Sequence, residues 1–124
     1  MATILVVDDQ LEFRFLLEQV LQRAGYDVMT ASDGAEAFQK VLHNRPDLIL
    51  LDVMMPVVDG FGVLDTLKAD PELSSVPIVM LTARDQARDL ARGHRRGADV
   101  YLTKPLDRDE LLLTVQRLLE PSKE

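Results

Sequence analysis

Three aspartates, a threonine and a lysine stand at points in this 124-residue sequence where apolar runs stop. "VVDD" brings Asp8 and Asp9 directly behind one run and "LILLD" brings Asp52 behind another, while "MLTA" and "YLTKP" set Thr82 and Lys104 behind two more. Aspartate is a poor strand former and is rarely buried without a partner, so its placement asks for a reason. If the three carboxylates converge, each pair at about 4 to 5 Å repels by roughly 3 to 4 kcal/mol at an effective dielectric near 20. One ammonium leaves that charge undercompensated, and a divalent cation is the natural remedy. With no cysteine, and neither His43 nor His94 near a strand end, the donors are all oxygen. Such a set favours Mg2+, or a similar hard ion such as Mn2+, over zinc. A carboxylate beside that ion and a lysine can attack a phosphoryl group, because metal and ammonium neutralise charge on the transferring oxygens. The Thr82 hydroxyl can donate to one of those oxygens. The product of such an attack is an aspartyl phosphate.

The elements that must position these residues alternate regularly. Val-, Ile- and Leu-rich runs occur at Ile4–Val7, Asp27–Thr30, Leu48–Leu51, Ile78–Leu81 and Val100–Leu102, each followed by a helical pattern, which gives five strands and five helices. In the first helical segment Phe13, Leu16, Leu17, Val20, Leu21 and Ala24 recur on one stripe that should lie on a sheet. The second and fifth open with Asp-x-x-Glu, Asp33 to Glu36 and Asp107 to Glu110, resembling capping boxes. Continuous apolar strands separated by helices predict a doubly wound α/β domain with a parallel sheet covered on both faces. All five polar residues then fall at carboxyl ends of strands, the edge where such sheets bind ligands. That edge meets solvent, so Asp52 is expected there without deep burial. The segment "KADPELSSVP", residues 68 to 77, reads as the loosest, and the terminal "EPSKE" as frayed.

Composition narrows the function classes. With 47% hydrophobic residues the chain can bury one core, and residues 1–124 are read as a single domain, core about 3–119, without an output domain. Fourteen basic against 21 acidic residues give a formal charge of −7, which argues against direct nucleic-acid binding. "MATILVVDD" has no basic region or cleavage site ahead of its apolar run, and no apolar run approaches the roughly 20 residues of a membrane span. A cytoplasmic protein without membrane contact is the expectation. "VVDDQ" lacks the Gly-rich turn of a dinucleotide-binding unit.

The ordered set "VVDD", "LLDVMMPVVDG", "MLTA" and "GADVYLTKP" resembles the receiver domains of two-component response regulators, chemotaxis regulators among them, over about Thr3 to Leu119. The resemblance implies a flavodoxin-like fold with strand order 2-1-3-4-5. It implies phosphoryl transfer onto Asp52 from the phosphohistidine of a sensor histidine kinase or a histidine phosphotransfer protein. It makes Asp9 a direct Mg2+ ligand, Asp8 an outer one through water, and the Met54 backbone carbonyl a further ligand beside Asp52. Lys104 and Thr82 would contact the phosphoryl group, Thr82 and Tyr101 would form the switch pair, and the bond before Pro105 would be cis. The protein would be a signalling switch that catalyses only its own phosphorylation and dephosphorylation. It would be a monomer or a weak phosphorylation-dependent dimer, acting on a protein target or an output domain.

Each residue also has a plainer use. Thr82 alone would be a helix N-cap, Lys104 surface charge and Tyr101 ordinary core. The residue set also bears comparison with a haloacid-dehalogenase-type phosphatase, which expects a second Asp two positions after the nucleophile, where this chain has Met54. A pseudo-receiver scaffold typically loses an acidic, acceptor or lysine position, and none is lost here. From Arg84 to Arg96, five arginines face Asp85 and Asp89, a net of +3 in an acidic chain. Arg88, Arg92 and Arg95 or Arg96 share one helical face, either solvated or docking an acidic partner beside the fifth strand and fifth helical segment. With Leu90 its one large apolar residue, this fourth helical segment is expected to be the least anchored and to shift on phosphorylation.

Overall fold

Parallel pairing in this chain centres on three largely aliphatic strands, TILVV, LILLD and IVMLTA, with the more polar DVMTA and VYLTK at the two edges. A computed structural model describes residues 2–52, 60–83 and 98–120. In it β1 (Thr3–Val7), β2 (Asp27–Ala31), β3 (Leu48–Asp52), β4 (Ile78–Ala83) and β5 (Val100–Lys104) form one sheet in the order 2-1-3-4-5. Every pairing is parallel, with Val7 opposite Ala31 and Leu51, Asp52 opposite Leu81, and Ala83 opposite Lys104. The described helices are α1 (Leu11–Arg23), α2 (Gly34–His43), α3 (Gly60–Ala69) and α4 (Arg108–Leu119), the last being the fifth predicted segment. The fourth predicted segment, residues 84 to 96, lies outside the described residues.

Strand alternation divides the core in two. Leu5, Val7, Ile49, Leu51, Ile78 and Met80 face α2 and α3, meeting Ala37, Val41, Val63, Leu64 and Leu67. Ile4, Val6, Leu48, Leu50, Val79 and Leu81 face α1 and α4, meeting Leu17, Leu21, Leu111 and Val115. The alternation between opposite faces is the ordinary two-residue period of a strand, here with both faces covered.

Local chemistry sets the helix ends. After α1, Gly25 takes a left-handed φ of 100°, its N–H donates to Gln22 O, and Tyr26 N–H donates to Leu21 O. These two bonds make a Schellman turn, completed by Tyr26 and Leu21 packing in the same core. Asp33 caps α2 by accepting from Glu36 N–H at 2.8 Å. The returning bond differs from the expected box: Glu36 accepts from Ser32 N–H at 2.6 Å and Ser32 Oγ at 3.0 Å, one residue earlier. The Ser32 backbone bond is the main reason the Glu36 carboxyl lies below its ordinary value of 4.5. Asp107 caps α4 by accepting from both Asp109 and Glu110 N–H.

Two expectations need correction. Leu16, expected on the buried stripe of α1, is 56% exposed, and Ala24 is exposed as well. Only Leu17 and Leu21 are buried on that helix, with Phe13 and Val20 half-buried, so the contact is narrower than the stripe. Residues 68 to 77 are not loose. Leu73 and Val76 enter the core, Lys68 donates to Ser74 O and Val76 O, and Arg45 donates to Glu72 O and Ser75 Oγ. The Arg45 tie comes from outside the segment, and the Lys68 ties span six and eight residues, so neither leaves a trace in local composition.

Candidate functional site

The carboxyl edge of the sheet gathers the chemistry. Asp8 follows β1, Asp52 closes β3, Thr82 is the penultimate residue of β4, and Lys104 closes β5. Because β1 and β4 both pair with β3, Asp52 has a strand on either side. Its parity with Leu48 and Leu50, and that of Lys104 with Leu102, directs both toward the α1 and α4 side.

One carboxylate oxygen from each of Asp8, Asp9 and Asp52 lies within 4.8 Å of the others. Asp8 is fully buried and Asp52 is 4% exposed, while Asp9 is open to solvent. The expectation that Asp52 escapes burial is therefore corrected: flanking strands and the Lys104 side chain cover the end of the central strand. Lys104 Nζ reaches Asp8 Oδ2 at 3.3 Å and Asp52 Oδ1 at 3.4 Å. The other Asp8 oxygen accepts from Gln10 N–H at 2.9 Å, and the Asp8 carbonyl accepts from Arg14 Nη1 at 2.8 Å. Among the described residues, three carboxylates and one close ammonium leave two negative charges in a partly buried cleft, an arrangement suited to a divalent cation.

Thr82 is buried and belongs to the strand, which excludes the N-cap role. By parity it shares the face of Met80, and Met80 is in register with Tyr101. Thr82 and half-buried Tyr101 are thus diagonal neighbours on adjacent strands. The Lys104–Pro105 peptide is cis. Met54, Arg88, Arg92, Arg95 and Arg96 lie outside the described residues, as does His94; His43 Nδ1 is 2.9 Å from Gln39 O on its own helix.

Two contacts are not foreseen from sequence. Phe13 carries its ring 4.3 Å beneath Lys104 Nζ, centroid to nitrogen, and Arg14 holds the backbone of Asp8. The helical stripe marks Phe13 as core, and no sequence signal distinguishes a core ring from one under an ammonium. For Arg14, its place four residues after Gln10, where α1 begins, is the only hint.

The fold agrees with the comparisons. The family description "Response regulator receiver domain" matches residues 4–116. The chain belongs to that family and is the receiver domain of a two-component response regulator. The alkaline phosphatase synthesis transcriptional regulatory protein PhoP of Bacillus subtilis is 46% identical over 120 residues, 97% of this chain and 49% of PhoP. Protein PilH of Pseudomonas aeruginosa is 37% identical over 119 residues, 96% of this chain and 98% of PilH. The solved structure of chemotaxis protein CheY4 of Vibrio cholerae superposes with a TM-score of 0.90 at 39% identity, covering 96% of this chain and 99% of that one. The chain thus spans about half the length of PhoP and nearly all of PilH. Among the described residues no helix is long and apolar enough to cross a membrane.

Proposed function

We propose that this receiver domain accepts a phosphoryl group on Asp52, with Mg2+ or Mn2+ held by Asp9, Asp52 and the Met54 carbonyl, and by Asp8 through water. The observation that carries the reading is the Lys104 ammonium standing between Asp8 and Asp52 inside a cluster of three carboxylates. The donor set fits a hard divalent ion: all oxygen, close together, and short of positive charge. Both Asp8 oxygens already have protein partners, which suits an outer rather than a direct role. When bound, the ion supplies positive charge against the transferring oxygens.

The chain's own residues account for the remaining steps. An Asp52 oxygen attacks phosphorus in line, and the bond to the donor's imidazole nitrogen breaks, so the acceptor carboxylate becomes an acyl phosphate. Lys104 moves from Asp52 Oδ1 to a phosphoryl oxygen, and Thr82 donates its hydroxyl to another. Drawing Thr82 toward the phosphate opens room behind it for Tyr101, its diagonal neighbour. The phosphorylated form is then a conformation stabilised by contacts absent before transfer, and the output is a population shift. The domain catalyses its own phosphorylation and dephosphorylation and no other reaction. Its donor is a sensor histidine kinase or a phosphotransfer protein in the cytoplasm, and its output passes to a protein target or an attached domain.

The test is incubation with a small acyl-phosphate donor and Mg2+, followed by intact mass. One added phosphoryl group in the native protein and none in Asp52→Asn is the expected result. No gain in the native protein, or an undiminished gain in the variant, overturns it.

A further inference from the structure

Lysine is a flexible point charge on a four-carbon stem, so an ammonium that must serve two partners in turn needs something to hold it. Among the described residues, Lys104 Nζ has three charged or aromatic neighbours: Asp8 Oδ2 at 3.3 Å, Asp52 Oδ1 at 3.4 Å and the Phe13 ring at 4.3 Å to its centroid. Two of them change during phosphoryl acceptance. The Asp52 oxygen loses charge to the new P–O bond, and Asp8 comes to share its charge with a cation. The ring face alone is unchanged by either event. Phe13 sits in the first turn of α1, four residues after Asp9, and packs against the α1 and α4 core, which fixes the ring independently of the charges above it. Its quadrupole attracts the ammonium without competing with the cation for carboxylate oxygens.

We propose that Phe13 is a positioning residue for phosphoryl acceptance, its ring acting as the fixed point on which the Lys104 ammonium swings from Asp52 to the incoming phosphoryl oxygen. This rests on the acceptor role of Asp52 given above. A leucine at position 13 fills the core but offers no quadrupole, so the ammonium either collapses onto the two carboxylates or leaves for solvent. Tyrosine keeps the ring face. Lys104 is 22% exposed, which places the contact between the exposed and desolvated limits of cation–π attraction, so its loss is worth about fivefold in rate.

Two measurements test it. In NMR spectra, the Lys104 ε-methylene protons, assigned by their disappearance in Lys104→Arg, should be shifted upfield by the ring in the native protein and in Phe13→Tyr, and should return to the ordinary lysine position in Phe13→Leu. With an acyl-phosphate donor at saturating Mg2+, Phe13→Leu should take up phosphoryl about fivefold more slowly, and Phe13→Tyr should recover the native rate. A merely structural Phe13 would move the urea midpoint and leave the native ε-proton shift ordinary. An unshifted native resonance overturns the proposal, as does a native rate in Phe13→Leu or a Phe13→Tyr as slow as Phe13→Leu. If Phe13→Leu does not fold, the native shift and the tyrosine rate decide alone. A native protein that takes up no phosphoryl group overturns the acceptor role of Asp52 and this proposal together, whereas failure of the ring shift overturns the proposal only.

Discussion

Lys104 and Asp8, 96 residues apart in sequence, meet at 3.3 Å, and the carboxylate they bury has no exposure at all. The pair forms because β1 and β5 end on the same edge of the sheet with side chains on the same face. A buried carboxylate with its cation removed is left with an unmet desolvation cost, typically several kcal/mol. Here Lys104 is partly exposed, and the Gln10 N–H remains on Asp8.

Lys104→Met should therefore cost about 2 kcal/mol in urea unfolding without metal, below the full penalty of a wholly buried pair. Millimolar Mg2+ should narrow the difference, since a cation can take over part of the missing charge. A variant as stable as the native protein without metal would show that the ammonium does not compensate Asp8.

Asp9 is the exposed member of the cluster, so it loses little hydration on folding and mainly adds repulsion. Asp9→Asn should raise stability without metal by about 0.5 to 1 kcal/mol, as stability–function trade-offs at charged sites lead one to expect. The same variant should lose most of the increase in Tm that Mg2+ gives the native protein. Thermal melts across a Mg2+ titration read both effects, and an unchanged Mg2+ response would remove Asp9 from the ligand set.

Five parallel strands and a polar edge are legible in the residues themselves, because continuous aliphatic runs that each stop at Asp, Thr or Lys fit little besides a buried sheet ending at a site. Strand order comes instead from the family resemblance, since nothing in a strand's composition says which neighbour it pairs with. The burial of Asp52 is hidden for a related reason. Accessibility at a strand end depends on how far the adjacent strands and a distant lysine reach, and both are long-range facts. The spacing of Phe13 marks it correctly as core, yet spacing cannot tell that an ammonium lies over the ring. The segment 68 to 77 reads as loose because Pro, Ser and Asp favour turns, while composition does not show that its own Lys68 folds back onto Ser74 or that Arg45 reaches it from 27 residues away.

Glu36 gives a pH signature away from the site. Its folded value is depressed, chiefly by the Ser32 backbone N–H, so its stabilisation is fully present above the unfolded value of 4.5 and lost as pH falls through the lower folded value. Glu36→Gln should lower the urea midpoint at pH 7, and the gap between variant and native protein should close below pH 4.5. A gap that stays constant across that window would mean that charge at Glu36 is not what the Ser32 contact rewards.

Asp99 fastens the end of the sheet opposite the site. Its Oδ2 accepts from Ile78 N–H at 2.8 Å and lies 3.7 Å from Lys68 Nζ, while its own N–H donates to Ile78 O at 2.9 Å. The side chain thus closes the first rung between β4 and the residue before β5, where the next ladder partner is Val79 with Val100. Asp99→Ala leaves the buried residue Ile78 with an unmet donor and should cost about 1 to 3 kcal/mol. Asp99→Asn keeps an acceptor for Ile78 and gives up only the ion pair, which is largely exposed on the Asp99 side, so its cost should stay below about 1 kcal/mol. Amide exchange should report the same difference locally, with Ile78 losing protection in the alanine variant and keeping it in the asparagine variant. Equal losses in both would assign the effect to charge rather than to the hydrogen bond. Phosphoryl uptake should be nearly unchanged in either variant, because Asp99 acts at the amino edge of the sheet and the reacting groups stand at the carboxyl edge.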